Sequence, residues 1–341
     1  MTRVLQAMAG AKHGGAEAFF ERLAIALHHA GEEQRIVIRS DPERAARLRK
    51  AGLDPVELTF GGFFDVVTKP RLARVIAEFT PSVVLTWMNR ATHLCPRGDF
   101  VHVARLGGYY NLRYYRECDH LIGNTRALTA WMLAQGWPTE RVHYLPNFAA
   151  VAPAALLART SLDTPEDAPV ALALGRLHPH KGLDVLLAAV ARVKGLYLWL
   201  AGEGELGEAL HRQAESLDIA RRVRFLGWRE DVGALLGACN MLVCSSRIEP
   251  LGNTIIEAWA ARVPVIAAAS SGPAELISDG QNGILVPTDD ADALARAIER
   301  LVLDRSLAAA LVAAGREKFE AEFSEMRVVA AYREFFARVS R

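Results

Sequence analysis

The sequence has few cysteines and no long apolar run. Its four cysteines, Cys95, Cys118, Cys239 and Cys244, are scattered over 341 residues without a Cys-x-x-Cys pair, so neither a disulfide framework nor a zinc site is expected. No stretch approaches the roughly 18 to 20 apolar residues that span a bilayer. The first residues also lack the basic, apolar and small-residue order of a signal peptide. These absences predict a cytoplasmic protein.

The net charge is also small. It is +1 for the whole chain, which argues against nucleic acid as a partner, because nucleic-acid-binding domains are usually strongly basic. Basic residues nevertheless outnumber acidic ones in positions 1–145, and the reverse holds afterwards. A solvated surface accounts for this asymmetry, and so would peripheral association with the inner face of the cytoplasmic membrane.

The length and the hydrophobic rhythm predict two α/β domains. A chain of 341 residues exceeds the size of one ordinary core. Short β-rich runs such as "RVLQAM" and "VALALGRL" alternate with amphipathic helical stretches, which is typical of parallel strands joined by crossover helices. The alternation of β-rich and helical stretches is interrupted at 149–168. We therefore predict two Rossmann-like doubly wound domains, 1–148 and 169–322, a linker at 149–168, and a terminal helix at 323–341 that returns to the first domain.

Two loops after predicted strands carry residues suited to an anionic ligand. In open α/β sheets, ligands bind where loops leave the carboxyl ends of strands. Gly14 and Gly15 precede a helix, where glycine lets the backbone approach an anion, although a simple turn explains the pair equally well. In "LGRLHPHKGLDVLL", Arg176 and Lys181 could clamp a diphosphate, or they could be two exposed loop cations.

A third loop, "RIEPLGNTIIE" at 247–257, contains two carboxylates. Glu257 falls near the first turn of a predicted helix that Asn253 or Thr254 can cap, and there an acid complements the helix dipole. That explanation does not extend to Glu249, which stands before a proline with the whole turn after it. Glu249 is therefore predicted to have a role other than helix stabilisation.

These motifs resemble the nucleotide-sugar site of retaining glycosyltransferases of family 4, which have the GT-B fold of two Rossmann-like domains facing each other across a cleft. The resemblance covers nearly the whole chain. It rests on the Gly-Gly-Ala-Glu loop, "GRLHPHKG", "GEGEL", "FLGW" and above all "EPLGNTIIE" followed by "PVIAAASSGPAELISDGQNGILVP". It implies transfer from a nucleoside diphosphate sugar to a saccharide or lipid-linked acceptor in cell-envelope polysaccharide or lipopolysaccharide synthesis. UDP is a first candidate for the nucleotide, although the sequence leaves the base open.

The resemblance also assigns roles to residues. Glu257 would accept hydrogen bonds from the ribose hydroxyls, and Glu249 would face the transferred sugar. Arg176 and Lys181 would bind the diphosphate, which Gly15, next to Gly14, would meet from the first domain. The backbone N–H groups that would hold the sugar and diphosphate belong to Leu251, Gly252, Asn253 and Thr254.

Transfer in this family is usually described as a displacement on one face of the sugar. The diphosphate leaves, and the acceptor hydroxyl enters beside it and gives it a proton. Cations and helix starts would supply the electrostatic stabilisation, so the resemblance implies no metal and no other cofactor. Glu249 then need not be a nucleophile.

The acceptor side is less well defined. Many relatives carry a histidine with an adjoining acid after the fifth strand, whereas His102 lies within that strand and is expected in the core. Arg105 is the better candidate for the cleft. Asn89, Arg90 and Tyr109 would form an acceptor wall, since aromatic and arginine side chains suit sugars and phosphates. A helix that buries tyrosines would explain the aromatic residues equally well.

Two alternatives remain. One is a phosphorylase or sucrose-phosphate-synthase-like enzyme of the same fold, although the pyridoxal lysine motif of glycogen-type phosphorylases is not found. The other is a non-catalytic binding or scaffolding protein, against which the joint presence of Arg176, Lys181, Glu249 and Glu257 speaks.

Overall fold

The computed structural model describes residues 2–12, 14–61, 65–149 and 157–340. The chain divides into two compact units. Unit 1 comprises the residues up to Phe148 and the segment that begins at Glu325, and unit 2 comprises Ala149–Ser324. Within the predicted linker, residues 150–156 lie outside the described residues. Among the residues described, no helix is long and apolar enough to cross a membrane.

Unit 1 is built on a seven-stranded parallel sheet of order β3-β2-β1-β4-β5-β6-β7. The strands are β1 (Arg3–Met8), β2 (Glu33–Arg39), β3 (Val56–Leu58), β4 (Val83–Trp87), β5 (Val101–Leu106), β6 (His120–Gly123) and β7 (Val142–Tyr144). The helices between them are α1 (Gly15–His29), α2 (Pro42–Lys50), α3 (Thr68–Phe79), α4 (Met88–Leu94) and α5 (Arg126–Ala134). The direction of the chain across the sheet reverses between β1 and β4.

Unit 2 is built on a six-stranded parallel sheet of order β10-β9-β8-β11-β12-β13. Its strands are β8 (Val170–Leu174), β9 (Tyr197–Ala201), β10 (Val223–Phe225), β11 (Met241–Cys244), β12 (Val265–Ala268) and β13 (Ile284–Val286). Its helices are α6 (Leu183–Arg192), α7 (Gly207–Ser216), α8 (Val232–Ala238), α9 (Asn253–Ala260), α10 (Ser271–Leu276), α11 (Ala291–Leu303) and α12 (Arg305–Lys318), which a π-helical turn, Phe319–Phe323, follows. Here the reversal falls between β8 and β11.

Each sheet has a buried apolar cluster on both faces. Successive strand residues point to opposite sides, so they join different clusters. In β8, Val170 and Leu172 join one buried cluster, and Ala171 and Ala173 join the other. In β1, Val4 and Met8 pack on one face while Leu5 and Ala7 pack on the other. This two-sided burial explains why the central strands are continuous apolar runs rather than alternating ones.

Acidic side chains start several helices. Asp41 accepts from Arg44 N (3.0 Å) at the start of α2, with Pro42 at the first helical position. Asp290 accepts from Ala293 N (2.8 Å) at the start of α11. Such caps satisfy backbone donors that have no partner inside the helix, and each contributes roughly 0.5 to 2 kcal/mol.

The last helix, α13 (Glu325–Val339), belongs to unit 1 although it follows unit 2 in the chain. It packs against α1, and its buried residues join the core cluster that contains Val4. These residues are Val328, Val329, Tyr332, Phe335 and Phe336. Burial of each large apolar side chain is worth roughly 1.5 to 3 kcal/mol, so the packing face of α13 holds this segment to unit 1.

Candidate functional site

In unit 2 the predicted ligand residues gather where the strand order reverses. The loop after β8 carries Arg176 and Lys181, and the loop after β11 carries Glu249. Because β8 and β11 are neighbours in a parallel sheet, their carboxyl ends, and so these two loops, lie side by side. Residues far apart in the sequence are thereby brought into contact.

Lys181 and Glu249 form an ion pair. The Lys181 Nζ donates to Glu249 Oε2, and Ser246 Oγ, at 3.4 Å, donates to the same oxygen. The side chains are 26% and 14% exposed, respectively, so both are partly withdrawn from water yet accessible to a ligand. A cation and an anion at one point suit a ligand with a phosphate group next to hydroxyl groups.

Arg176 lies on the same loop as Lys181, and its side chain is exposed. It makes no hydrogen bond or ion pair with any residue that the structure describes. The loop around it is built from close backbone contacts: a Cβ atom on Gly202 would lie 2.0 Å from Gly175 O. Both glycines have positive φ, 138° and 146°. The tight backbone fixes the start of the loop while the guanidinium stays available.

Helix α9 starts directly after the turn that follows Glu249. Gly252, with φ 93°, takes the N-cap position and has no side chain to cap the helix. Leu251 is buried, while Asn253 and Thr254, in the first turn, are half-buried. A helix start that lacks a side-chain cap is suited to an anion. Glu257 follows in the same helix and is also half-buried.

The turn at Glu249 is hydrogen-bonded to the first residues of α10. Gly272 N donates to Glu249 O (2.8 Å), and Ser271 Oγ donates to the same oxygen (3.2 Å). A Cβ atom on Gly272 would lie 2.6 Å from Glu249 O and from Leu251 O. Position 272 therefore requires glycine for steric reasons, which accounts for the glycine in the Ser-Gly-Pro that follows β12.

In unit 1 the loop after β1 is shaped around a buried carboxylate. Glu17 is 5% exposed, and its Oε1 accepts from Ala11 N (2.8 Å). Cβ atoms on Gly10 and Gly14 would lie 2.5 and 2.2 Å from its carboxylate oxygens. Gly14 has extended backbone, and Gly15 begins α1. The glycines thus make room for Glu17, a role that the sequence pattern alone did not indicate.

The acceptor-side candidates follow two neighbouring strands of unit 1: Asn89 and Arg90 lie in α4, directly after β4, and Tyr109 lies in the loop after β5. Asn89 accepts from Tyr115 Oη, and Arg90 Nη1 donates to Phe60 O (2.9 Å). Tyr109 is 53% exposed, with its ring edge-on to Trp131 at 5.3 Å. The strands β4 and β5 are adjacent, so these residues share one edge of the sheet.

Arg105 and His102 are placed in the interior of unit 1. Arg105 is 2% exposed; its Nε donates to Tyr332 Oη (2.9 Å), and another guanidinium nitrogen donates to Asn147. His102 Nε2 lies 3.0 Å from Thr86 Oγ1, and burial lowers its pKa to about 4. These contacts give both side chains packing partners within the core, and the acceptor role of Arg105 stays a prediction.

The sequence contains one Asp-x-Asp triplet, a spacing that can hold a metal, at Asp290–Asp292. In the structure Asp290 caps α11, and Asp292 accepts from Arg192 Nε (2.6 Å). No group of three or more His, Cys, Asp or Glu with metal-binding geometry occurs in the described part of the chain.

Comparison with known proteins identifies the family. A family model described as glycosyl transferases group 1 matches residues 157–318. Two lipopolysaccharide core biosynthesis glycosyltransferases of Rhizobium meliloti (strain 1021) match almost the full length: LpsE at 38% identity, covering 96% of each chain, and LpsD at 35%, covering 95% of each.

A solved structure supports the fold. HepE of Anabaena, in complex with UDP-glucose, superposes with a TM-score of 0.84 at 20% identity, covering 99% of this chain and 100% of that one. The predicted pair of doubly wound parallel sheets is thereby confirmed. Because LpsE and LpsD match almost the whole chain, this protein belongs to the glycosyl transferases group 1 and has the GT-B fold.

Proposed function

We propose that this chain is a retaining, metal-independent glycosyltransferase that moves a sugar from a nucleoside diphosphate sugar to a lipopolysaccharide core acceptor. The observation that carries the proposal is the contact between Lys181 and Glu249 at the strand reversal of unit 2, beside the start of α9. The acceptor class is inferred from the names of the two Rhizobium relatives.

In the proposed reaction the bond between the anomeric carbon and the β-phosphate oxygen breaks, and a bond from that carbon to the acceptor oxygen forms on the same face. The acceptor proton passes to the departing phosphate. Lys181 and Arg176 would neutralise the negative charge that develops on the diphosphate, assisted by the amide groups at the start of α9. Glu249 would bind hydroxyls of the transferred sugar and hold Lys181 in place.

Metal independence is proposed because these groups already provide the positive charge that a divalent cation would otherwise supply. The expected result is that kcat is unchanged, within about twofold, when EDTA replaces added Mg²⁺ or Mn²⁺ in the assay, because EDTA does not affect the protein groups that neutralise the diphosphate. An enzyme that needs a metal for this purpose would lose most of its activity under the same conditions. Retention is tested by NMR of the new glycosidic linkage, whose anomeric configuration should equal that of the donor.

Unit 1 is proposed to bind the acceptor. Asn89, Arg90 and Tyr109 follow two neighbouring strands at the carboxyl edge of its sheet, and the half-exposed ring of Tyr109 suits stacking on a sugar. Action at the cytoplasmic face of the membrane, with peripheral association, stays a prediction from the basic front half of the sequence.

The function is tested with a panel of UDP-, GDP- and ADP-sugars, scored for hydrolysis and for transfer to core-saccharide fragments. Thermal shift with the three free nucleotides accompanies the panel, because a ligand that binds only the folded state stabilises it by RT ln(1 + [L]/Kd). Stabilisation by one nucleotide with turnover of the matching donor supports the proposal. No stabilisation and no turnover with any of them would indicate a scaffold.

Replacing Glu257 with glutamine is expected to weaken binding of the matching nucleotide by about 10- to 150-fold, since hydrogen bonds to a charged group are worth roughly 1.5 to 3 kcal/mol. Glutamine keeps the length and the helix propensity of the side chain while removing its charge. Calorimetric titration of the free nucleotide measures the effect. Glu299→Gln, an exposed site on α11, is the control, and equal affinity in the two variants would contradict the ribose-binding role.

A further inference from the structure

The loops that carry Lys181 and Glu249 are fastened to each other along their length. Three consecutive carbonyl groups of the first loop accept hydrogen bonds from the second. The bonds join Arg247 Nη1 to Pro179 O (3.0 Å), Ile248 N to His180 O (3.1 Å) and Ser245 Oγ to Lys181 O (2.9 Å). A Cβ atom on Gly182 would lie 2.2 Å from Ser245 O, so the two backbones also touch.

Arg247 extends this connection to two further elements. Its Nη1 and Nη2 donate to the two carboxylate oxygens of Asp184 (2.8 and 2.7 Å), in the first turn of α6. Its Nε donates to Asp289 (2.5 Å), between β13 and α11. The hydrogen bonds from Arg247 lower the pKa of Asp184, so the pair is charged over the neutral range. One guanidinium thus joins the loop after β8, the start of α6 and the loop after β13.

We propose that Arg247 is a positioning residue, which holds the loops of Lys181 and Glu249 in register so that the cation and the carboxylate are in place before the donor binds. The inference rests on the proposed function. Arg247 is two residues from Glu249, and its acceptor Pro179 is two residues from Lys181, so a shift at Arg247 reaches both charged groups. A side chain misplaced by about 1 Å can cost about 10²-fold in rate.

If Arg247 only stabilised the fold, a different experimental result would be expected. The ion pairs of Arg247 involve side chains that are 30 to 54% exposed, and exposed ion pairs contribute little to stability. If Arg247 only stabilised the fold, its loss would lower activity no more than the loss of any comparable surface pair. Positioning instead predicts a loss of turnover well beyond the loss of stability.

The test compares Arg247→Met with Arg192→Met. Arg192 also binds an aspartate, Asp292, and otherwise donates to Ala188 O, so it contacts neither loop. With the donor found in the panel, kcat/KM is expected to fall by about 10²-fold in the first variant and to stay within about twofold in the second. Equal values in the two variants would overturn the proposal.

Two further measurements separate positioning from general damage. In a Lys181→Met background, the further substitution Arg247→Met should lower kcat/KM by at most about threefold, because the effects of substitutions at residues that act through one another are not additive. A full additional 10²-fold loss would refute action through Lys181. Arg247→Lys keeps the charge but loses the planar fork, so it should recover only part of the activity. Full recovery would show that charge alone suffices and would count against positioning.

Hydrogen exchange provides a readout that does not depend on the donor. In Arg247→Met, the amides of 180–183 and of Ile248 should exchange at least about tenfold faster than in the wild type, because local opening becomes easier. Asp184→Asn should show the same change and serves if Arg247→Met does not fold. Unchanged exchange refutes the fastening role. A wild type inactive with every donor refutes the proposed function and leaves this measurement valid.

Discussion

Replacing Lys181 with methionine is expected to lower kcat for sugar transfer by about 10²- to 10³-fold, the usual cost of removing one preorganised group that stabilises transition-state charge. The ammonium contacts Glu249 at the strand reversal of unit 2. As the diphosphate departs, its negative charge grows, and this cation would be among the groups that neutralise it. Methionine retains most of the aliphatic stem, so the charge is the main loss.

Steady-state kinetics with the donor identified in the panel provides the measurement. Lys194→Met is the matched control, because Lys194 is exposed and precedes β9 at the amino edge of the sheet. The control changes the net charge equally and should keep kcat within about twofold of the wild type, as substitutions away from special features do. If Lys181→Met performs as well as Lys194→Met, the assignment of Lys181 to the diphosphate is wrong.

The same variant separates binding from chemistry. Removing an interaction that strengthens in the transition state lowers kcat, whereas removing one made equally in the ground state raises KM. The charge on the diphosphate increases during departure, so kcat should fall by a larger factor than the affinity for the free nucleotide. A variant that loses affinity alone would mean that Lys181 only anchors the substrate.

The proximity of the Lys181 and Glu249 loops in unit 2 was predictable because two general rules act together. Strand periodicity locates β8 and β11, and parallel sheets place their ligands at the carboxyl ends beside a reversal of strand order. Lys181 and Glu249 are 68 positions apart, yet both directly follow such strands. Topology therefore places their two loops side by side, whereas the ion pair between the side chains is known only from the structure.

The edges of the first sheet were harder to foresee. Both outermost strands, β3 and β7, contain only three residues, too few for alternation to establish a pattern. Their positions are mostly half-buried, so they lack the continuous apolar runs of the central strands. Edge strands are often short, and short strands leave little trace in a sequence.

The sequence analysis also did not predict the roles of two polar residues, Glu17 and Arg247, that position other parts of the chain. Glu17 lies in a helix, where an acid in the first turn needs no special explanation. Arg247 precedes Glu249 by two residues, and only the folded chain brings Asp184 and Asp289 to it. Such contacts depend on where several loops meet, and periodicity or spacing carries no information about that.

Replacing Arg105 with alanine is expected to destabilise unit 1 by about 3 kcal/mol, within the range for large-to-small changes in a core. The guanidinium lies over the rings of Phe19 and Trp87, at 4.7 and 4.6 Å, and donates to Tyr332 of α13. Truncation leaves a cavity between the aromatic rings and takes a donor from the buried Tyr332 hydroxyl. Chemical unfolding, followed by hydrogen exchange in β5 and α13, measures the loss within this unit.

Arg105→Met separates the structural role from the predicted acceptor role. No carboxylate of the described residues lies within ion-pair distance of Arg105. An apolar side chain of similar volume therefore removes a costly buried charge and keeps the packing, and its remaining cost is the loss of the donors to Tyr332 and Asn147. If the role is structural, Arg105→Met should recover most of the stability lost in the alanine variant and should turn over normally. If the guanidinium binds the acceptor, Arg105→Met should fold as the wild type does but show a raised KM for the acceptor. The burial of Arg105 in the core favours the first result.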